Sequence, residues 1–139
     1  MIRVVFDSVV FVRGLMSPFG WWGRLLFDHS ADYDLVVSPS VMDEVLEVLQ
    51  RPRLVRKYRG VATRDLRTVL AILAGAEVVE PVSIPPISRD PKGDKFLAPA
   101  KAGGAAFVVS EDQDLLVLGE YDGIRIVNAE TFLHLLGDG

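Results

Sequence analysis

The residues of this chain best suited to chemistry are four carboxylates spread along it: Asp7, Glu44, Asp94 and Asp112. Asp7 and Asp112 follow apolar, β-favouring runs, Ile2-Arg3-Val4-Val5-Phe6 and Ala105-Ala106-Phe107-Val108-Val109-Ser110, while Glu44 and Asp94 fall where helices are expected. Like charges gathered in a crevice repel one another and are costly unless a cation holds them. All-oxygen ligation suits hard divalent ions, Mg²⁺ or Mn²⁺, which activate water and offset the charge that develops on a phosphodiester. Hydrolysis of a phosphate backbone is the chemistry this set fits, provided the fold brings it together. Each acid alone also has a local explanation. Asp7 can cap the turn that follows it, Asp94 can be a helix N-cap, and Asp112 can close an Asx-turn.

The elements that must position these acids alternate along the chain. The first run is a strand of the continuous apolar kind that is buried on both faces of a parallel sheet, and ligands of such sheets bind beyond the carboxyl ends of the strands, where Asp7 would sit. Residues 9–15 stay apolar until Ser17-Pro18-Phe19-Gly20 breaks the pattern, and residues 21–27 predict a short helix. A second strand at 33–37 leads to Ser38-Pro39, with Ser38 as N-cap and Pro39 at the first helical position of a helix to about Gln50, ended by Pro52. On that helix, at about 100° per residue, Val41, Met42, Val45, Leu46, Val48 and Leu49 form one apolar arc, with Glu44 on its edge and Asp43 and Glu47 outside it.

Further on, residues 53–59 predict a short basic helix, and Thr63 caps another over 64–74, closed by Gly75. Residues 77–80 predict a third strand. A helix over 95–102 starts at Asp94 and should kink at Pro99. After the strand that ends at Ser110 come a short helix at 115–118, a last strand at 124–127, and a final helix at 129–136 capped by Asn128. This order implies a single domain, 1–139, built as a three-layer α/β/α sandwich with a mainly parallel sheet.

Composition agrees with one soluble domain: the 139 residues are half hydrophobic and one quarter charged, and there is no cysteine for disulfides, thiolate metal sites or nucleophiles. The longest apolar run, 69–74, is too short to span a bilayer, and no signal-peptide pattern opens the chain, so a cytoplasmic protein without membrane association is expected. Net charge is −4, yet residues 51–67 carry seven basic side chains and one acid, a local +6 against −10 elsewhere. Such a stretch is either a solvated face or a guide for phosphates, with Arg51 and Arg53 at its start.

Four motifs in order carry a resemblance along nearly the whole chain. They are Asp7-Ser8-Val9-Val10 after the first strand, Ser38-Pro39 through Glu44-Val45-Leu46 followed by Arg51-Pro52-Arg53-Leu54, Arg89-Asp90-Pro91-Lys92-Gly93-Asp94-Lys95-Phe96-Leu97, and Ser110-Glu111-Asp112-Gln113-Asp114-Leu115. In these the chain resembles PIN-domain ribonucleases, in particular the VapC-like branch of toxin–antitoxin toxins. The resemblance implies a Mg²⁺- or Mn²⁺-dependent endoribonuclease with Asp7, Glu44, Asp94 and Asp112 as metal-binding acids. It further implies that Asp114 assists them and that Ser110 positions a carboxylate or a water. An RNA substrate, an antitoxin protein and a homodimer are the implied partners. Three positions depart from the family pattern: Val9 replaces an asparagine, Gly93 removes one acid of a pair, and Glu111 stands where a glycine is usual. Val9 and Gly93 motivate an alternative, a catalytically weakened PIN fold serving as a binding or regulatory module.

Other features carry less. Trp21 and Trp22 point about 100° apart on a helix, so one is expected in the core and the other at an interface. His29 and His134 have no companions at ligand spacing, and Glu120 and Asp122 read as solvated loop charges. A phosphoacceptor receiver domain also gathers acids at strand ends, but it pairs acids after the first strand and places a lysine after the last; here Asp7 has no acidic neighbour and Asn128 follows the last strand.

Overall fold

The run Ile2–Phe6 forms strand β1, with Val4, Val5 and Phe6 fully buried. It lies inside a six-stranded sheet of the computed structural model, which describes residues 1–51, 63–81, 83–87 and 91–137. The other strands are β2 (Tyr33–Val37), β3 (Glu77–Val78), β4 (Phe107–Val109), β5 (Glu120–Tyr121) and β6 (Ile124–Val127), in spatial order β3-β2-β1-β4-β6-β5. All neighbours are parallel except β5 and β6. Seven helices are described: α1 (Ser8–Met16), α2 (Trp21–Phe27), α3 (Pro39–Leu49), α4 (Thr63–Ala74), α5 (Pro91–Ala102), α6 (Gln113–Leu116) and α7 (Ala129–Leu135). The expected three-layer α/β/α sandwich with a mainly parallel sheet is what forms.

Strand alternation assigns the two faces of the sheet. In register, Ile2 pairs with Tyr33 and Val4 with Phe107, so Phe6, Tyr33 and Phe107 share one face, where they meet Phe132 of α7. The opposite face is covered by α5, which packs on β1, β2 and β4. Tyr33 is buried and donates its hydroxyl to the Leu25 carbonyl at 2.9 Å. Burial, with the charge of Asp32 adding to it, pushes this phenol well above the ordinary tyrosine range. Unfolding releases the phenol to ionise near its usual pKa of about 10, so stability present below that pH is withdrawn as pH rises above it. Thermal midpoints measured between pH 8 and pH 11 should fall for the native protein and fall less steeply for Tyr33→Phe.

Several element boundaries differ from the sequence expectation. Helix α5 starts at Pro91 rather than Lys95, so Asp94 lies in its first turn instead of capping it, and the helix continues through Pro99. β3 is two residues long, and α6 begins at Gln113. Glu120 belongs to an edge strand, not a loop. Asp122 and Gly123, with φ of 51° and 83°, form the two-residue turn that reverses β5 into β6, a geometry that Asp-Gly favours because both positions need positive φ. The predicted basic helix at 53–59 lies outside the described residues. Among those residues, no helix is long and apolar enough to cross a membrane.

Candidate active site

Parallel register sets the first two groups side by side. Phe6 pairs with Val109, and the Asp7 amide donates to the Val109 carbonyl, so Asp7 and Ser110 leave the sheet together at its carboxyl edge. Helices α1, α3, α6 and α7 begin along this edge, capped by Asp7, Ser38, Asp112 and Asn128. Apart from Tyr33 with its hydroxyl, the buried polar side chains among the described residues are Asp7, Ser8, Ser38 and Ser110, all placed here. Buried polar groups cost stability unless they are hydrogen-bonded, so their collection at one edge of an otherwise apolar core marks a constructed site.

Asp7 is 7% exposed. Its Oδ2 accepts the Ser110 hydroxyl at 2.9 Å, and its Oδ1 accepts the Val9 amide at 3.1 Å. Ser110 Oγ in turn accepts the Asp112 amide at 3.0 Å, so one hydroxyl ties the two strand-end acids together. The Ser8 hydroxyl lies between Asp7 Oδ1 (3.4 Å) and Glu44 Oε1 (3.3 Å). Glu44 sits half-buried on the margin of α3's apolar arc, while Asp43 and Glu47 face solvent. Its Oε2 accepts Lys95 Nζ at 2.6 Å.

Asp7, Glu44 and Asp112 line one cleft of about 330 Å³, together with Glu111, Ser8, Arg13 and Lys95. Asp94 does not line it. Lys95 faces the cleft from α5, and the preceding residue is turned about 100° away on a helix; Asp94 Oδ2 accepts the Ile87 amide instead. Asp114 is also outside the lining, and its amide donates to Asp112 Oδ1 at 2.9 Å. The carboxylates supply the hard oxygen donors that a divalent ion takes, so the donor chemistry fits such an ion. Their present arrangement is open: among the described residues, no three acidic or histidine side chains converge closely enough to hold a metal. The reason is local, since backbone amides engage Asp94 and Asp112 and an ammonium engages Glu44.

Of the other cleft residues, Ser8 and Lys95 fall inside the first and third motifs beside Asp7 and Asp94, whereas Arg13 carried no sequence signal. Arg51 lines a neighbouring groove of about 460 Å³ that shares Ser8, Val9, Arg13 and Glu44 with the cleft. Its guanidinium grips Glu47 at 2.9–3.0 Å and holds that exposed carboxyl below the usual range, chiefly by hydrogen bonding. Arg53 lies outside the described residues. A larger hollow of about 640 Å³ opens near the amino ends of β1, β2 and β3, but its Arg3 is already paired with Glu77 and the Gly103 carbonyl.

Glu111 explains one departure from the family pattern. Its Oε1 accepts both the Trp22 indole N–H at 3.1 Å and the Ala129 amide at 3.0 Å, which joins α2 to the start of α7. Trp22 packs against the core and carries the Arg13 guanidinium 5.2 Å from its ring centroid, whereas Trp21 is 40% exposed. Glu111→Gly should lower stability by about 1.5–3 kcal/mol, the range for hydrogen bonds to a charged acceptor. A reduced urea midpoint, with Glu111→Gln falling between the two proteins, would bear this out.

These features define a mainly parallel α/β domain with an acid-lined cleft at the carboxyl edge of its sheet. The chain belongs to the PIN domain family, whose profile it matches over residues 3–114, and it therefore has a nuclease-type fold. It is 31% identical to the uncharacterized protein MJ1680 of Methanocaldococcus jannaschii over 129 residues, covering 91% of this chain and 81% of that one. In structure it is similar to PAE2754 from Pyrobaculum aerophilum, with a TM-score of 0.56 and 16% identity over 99% of this chain and 91% of the other.

Proposed function

We propose that this protein is a Mg²⁺- or Mn²⁺-dependent endoribonuclease and the toxin component of a toxin–antitoxin pair. PIN domains are generally nucleases, and the placement of buried Asp7 in one cleft with Glu44 and Asp112 carries the reading further. Asp7, Glu44 and Asp112 would hold the cation, with Asp94 and Asp114 acting from outside the cleft lining. A divalent ion bound there supplies an activated water and offsets the charge developing on the scissile phosphate. Ser110 fixes the Asp7 carboxylate against the Asp112 backbone, so Asp7 keeps one orientation. Arg51, Arg53 and the rest of the basic stretch 51–67 would track RNA phosphates, a contribution that weakens as salt rises. An antitoxin protein and a second copy of the chain are the proposed partners, and the cytoplasm the proposed location.

The test is cleavage of single-stranded RNA with Mn²⁺ by the native protein and by Asp7→Asn and Asp112→Asn. Cleavage that is equal in all three, or absent from the native protein on several RNAs, would overturn the proposal.

The engagement of Glu44 by Lys95 favours one second reading, a weakened PIN fold acting as a binding module. A ligand that binds only the folded state raises its melting temperature. Mn²⁺ that leaves the melting temperature unchanged selects this second reading.

A further inference from the structure

We propose that Lys95 is a resident cation of the acid cleft, held against Glu44, so that the cleft accepts one divalent ion rather than two. The inference rests on the metal-dependent reading above and concerns its stoichiometry.

Lys95 Nζ lies 2.6 Å from Glu44 Oε2 although the two residues are 51 positions apart in the chain, so tertiary packing of α5 beside α3 makes the contact. Both side chains are about one-third exposed, at 38% and 34%, which leaves the pair only partly screened by water. Glu44 keeps its other oxygen toward Ser8, and Glu111 is engaged by Trp22 and the Ala129 amide. Among the described residues neither Asp7 nor Asp112 has a basic partner.

Charge decides the count. Four acids (Asp7, Glu44, Glu111, Asp112) and two bases (Arg13, Lys95) line the cleft. One divalent ion therefore brings the lining to neutrality, and a second would overshoot it beside an ammonium that repels it.

Mn²⁺ titration of the full chain tests this, with calorimetry giving the stoichiometry and electron paramagnetic resonance counting free Mn²⁺. The native protein should bind one ion. Lys95→Met, which keeps the stem and removes the charge, should bind two, or bind its ion at least tenfold more tightly. Lys95→Arg should behave as the native protein, and Glu44→Gln added to Lys95→Met should cancel the gain. Thermal midpoints establish that each variant is folded. Two ions on the native protein, or one ion of unchanged affinity on Lys95→Met, overturns this inference alone. No binding by either protein overturns the metal reading with it.

Discussion

Asp7→Asn should reduce RNA cleavage by more than about 100-fold, beyond the 10–100-fold typical of residues that merely support a metal ligand. The substitution keeps size and shape and alters the charge and one donor–acceptor pair. Asparagine caps helices as well as aspartate does, so the start of α1 survives. The Ser110 hydroxyl and the Val9 amide, however, both donate to Asp7, on opposite oxygens. An amide side chain presents only one acceptor, so one of these donors then faces an N–H₂ group. That mismatch costs about 1–3 kcal/mol, well within the 5–15 kcal/mol that holds a typical domain together. A folded, slightly less stable and inactive variant is the expected outcome, read by circular dichroism, urea midpoint and single-turnover cleavage. Activity within tenfold of the native protein would remove Asp7 from the chemistry.

Phe132→Ala should have the largest effect on stability, a loss of about 3–5 kcal/mol. The ring is fully buried and touches Phe6, Tyr33 and Phe107 with centroids 6.2, 6.2 and 5.5 Å away, so one side chain of α7 packs against β1, β2 and β4 together. The rings meet at steep angles, the edge-to-face and tilted arrangements that aromatic pairs prefer. Alanine removes the ring, and three strands cannot close over the space without losing register. Phe6 directly precedes Asp7, so the strand end that aims this acid loosens as well. Phe19→Ala is the control: that ring is 92% exposed and its removal should shift stability by no more than about 0.5 kcal/mol. Equal urea midpoints for Phe132→Ala and the native protein would contradict this account of the core.

Much of this architecture is written in short-range patterns. The apolar run before Asp7 sufficed to place a buried strand, and Ser38-Pro39 marked the start of α3, where the Ser38 hydroxyl accepts the Val41 amide. The helical period alone put Glu44 on the margin of a buried arc, and the chain folds that way. Two further boundaries are also encoded locally. Asp122-Gly123 is a hairpin turn that announces β5, and Pro91 opens α5 by the same first-turn preference that Pro39 shows in α3.

What the amino-acid order determined by itself is the alternation of strands and helices, the family, and acids at the ends of β1 and β4, because each depends on residues within a few positions of one another. Only the tertiary structure decided that Asp7 is the carboxylate Ser110 meets, that Glu111 joins Trp22 to α7, and that Lys95 rather than a third carboxylate meets Glu44. These contacts link residues from different elements, mostly tens of positions apart, and no periodicity or cap preference encodes them. The crossing of α5 over the sheet turns Lys95 into the cleft and Asp94 away from it.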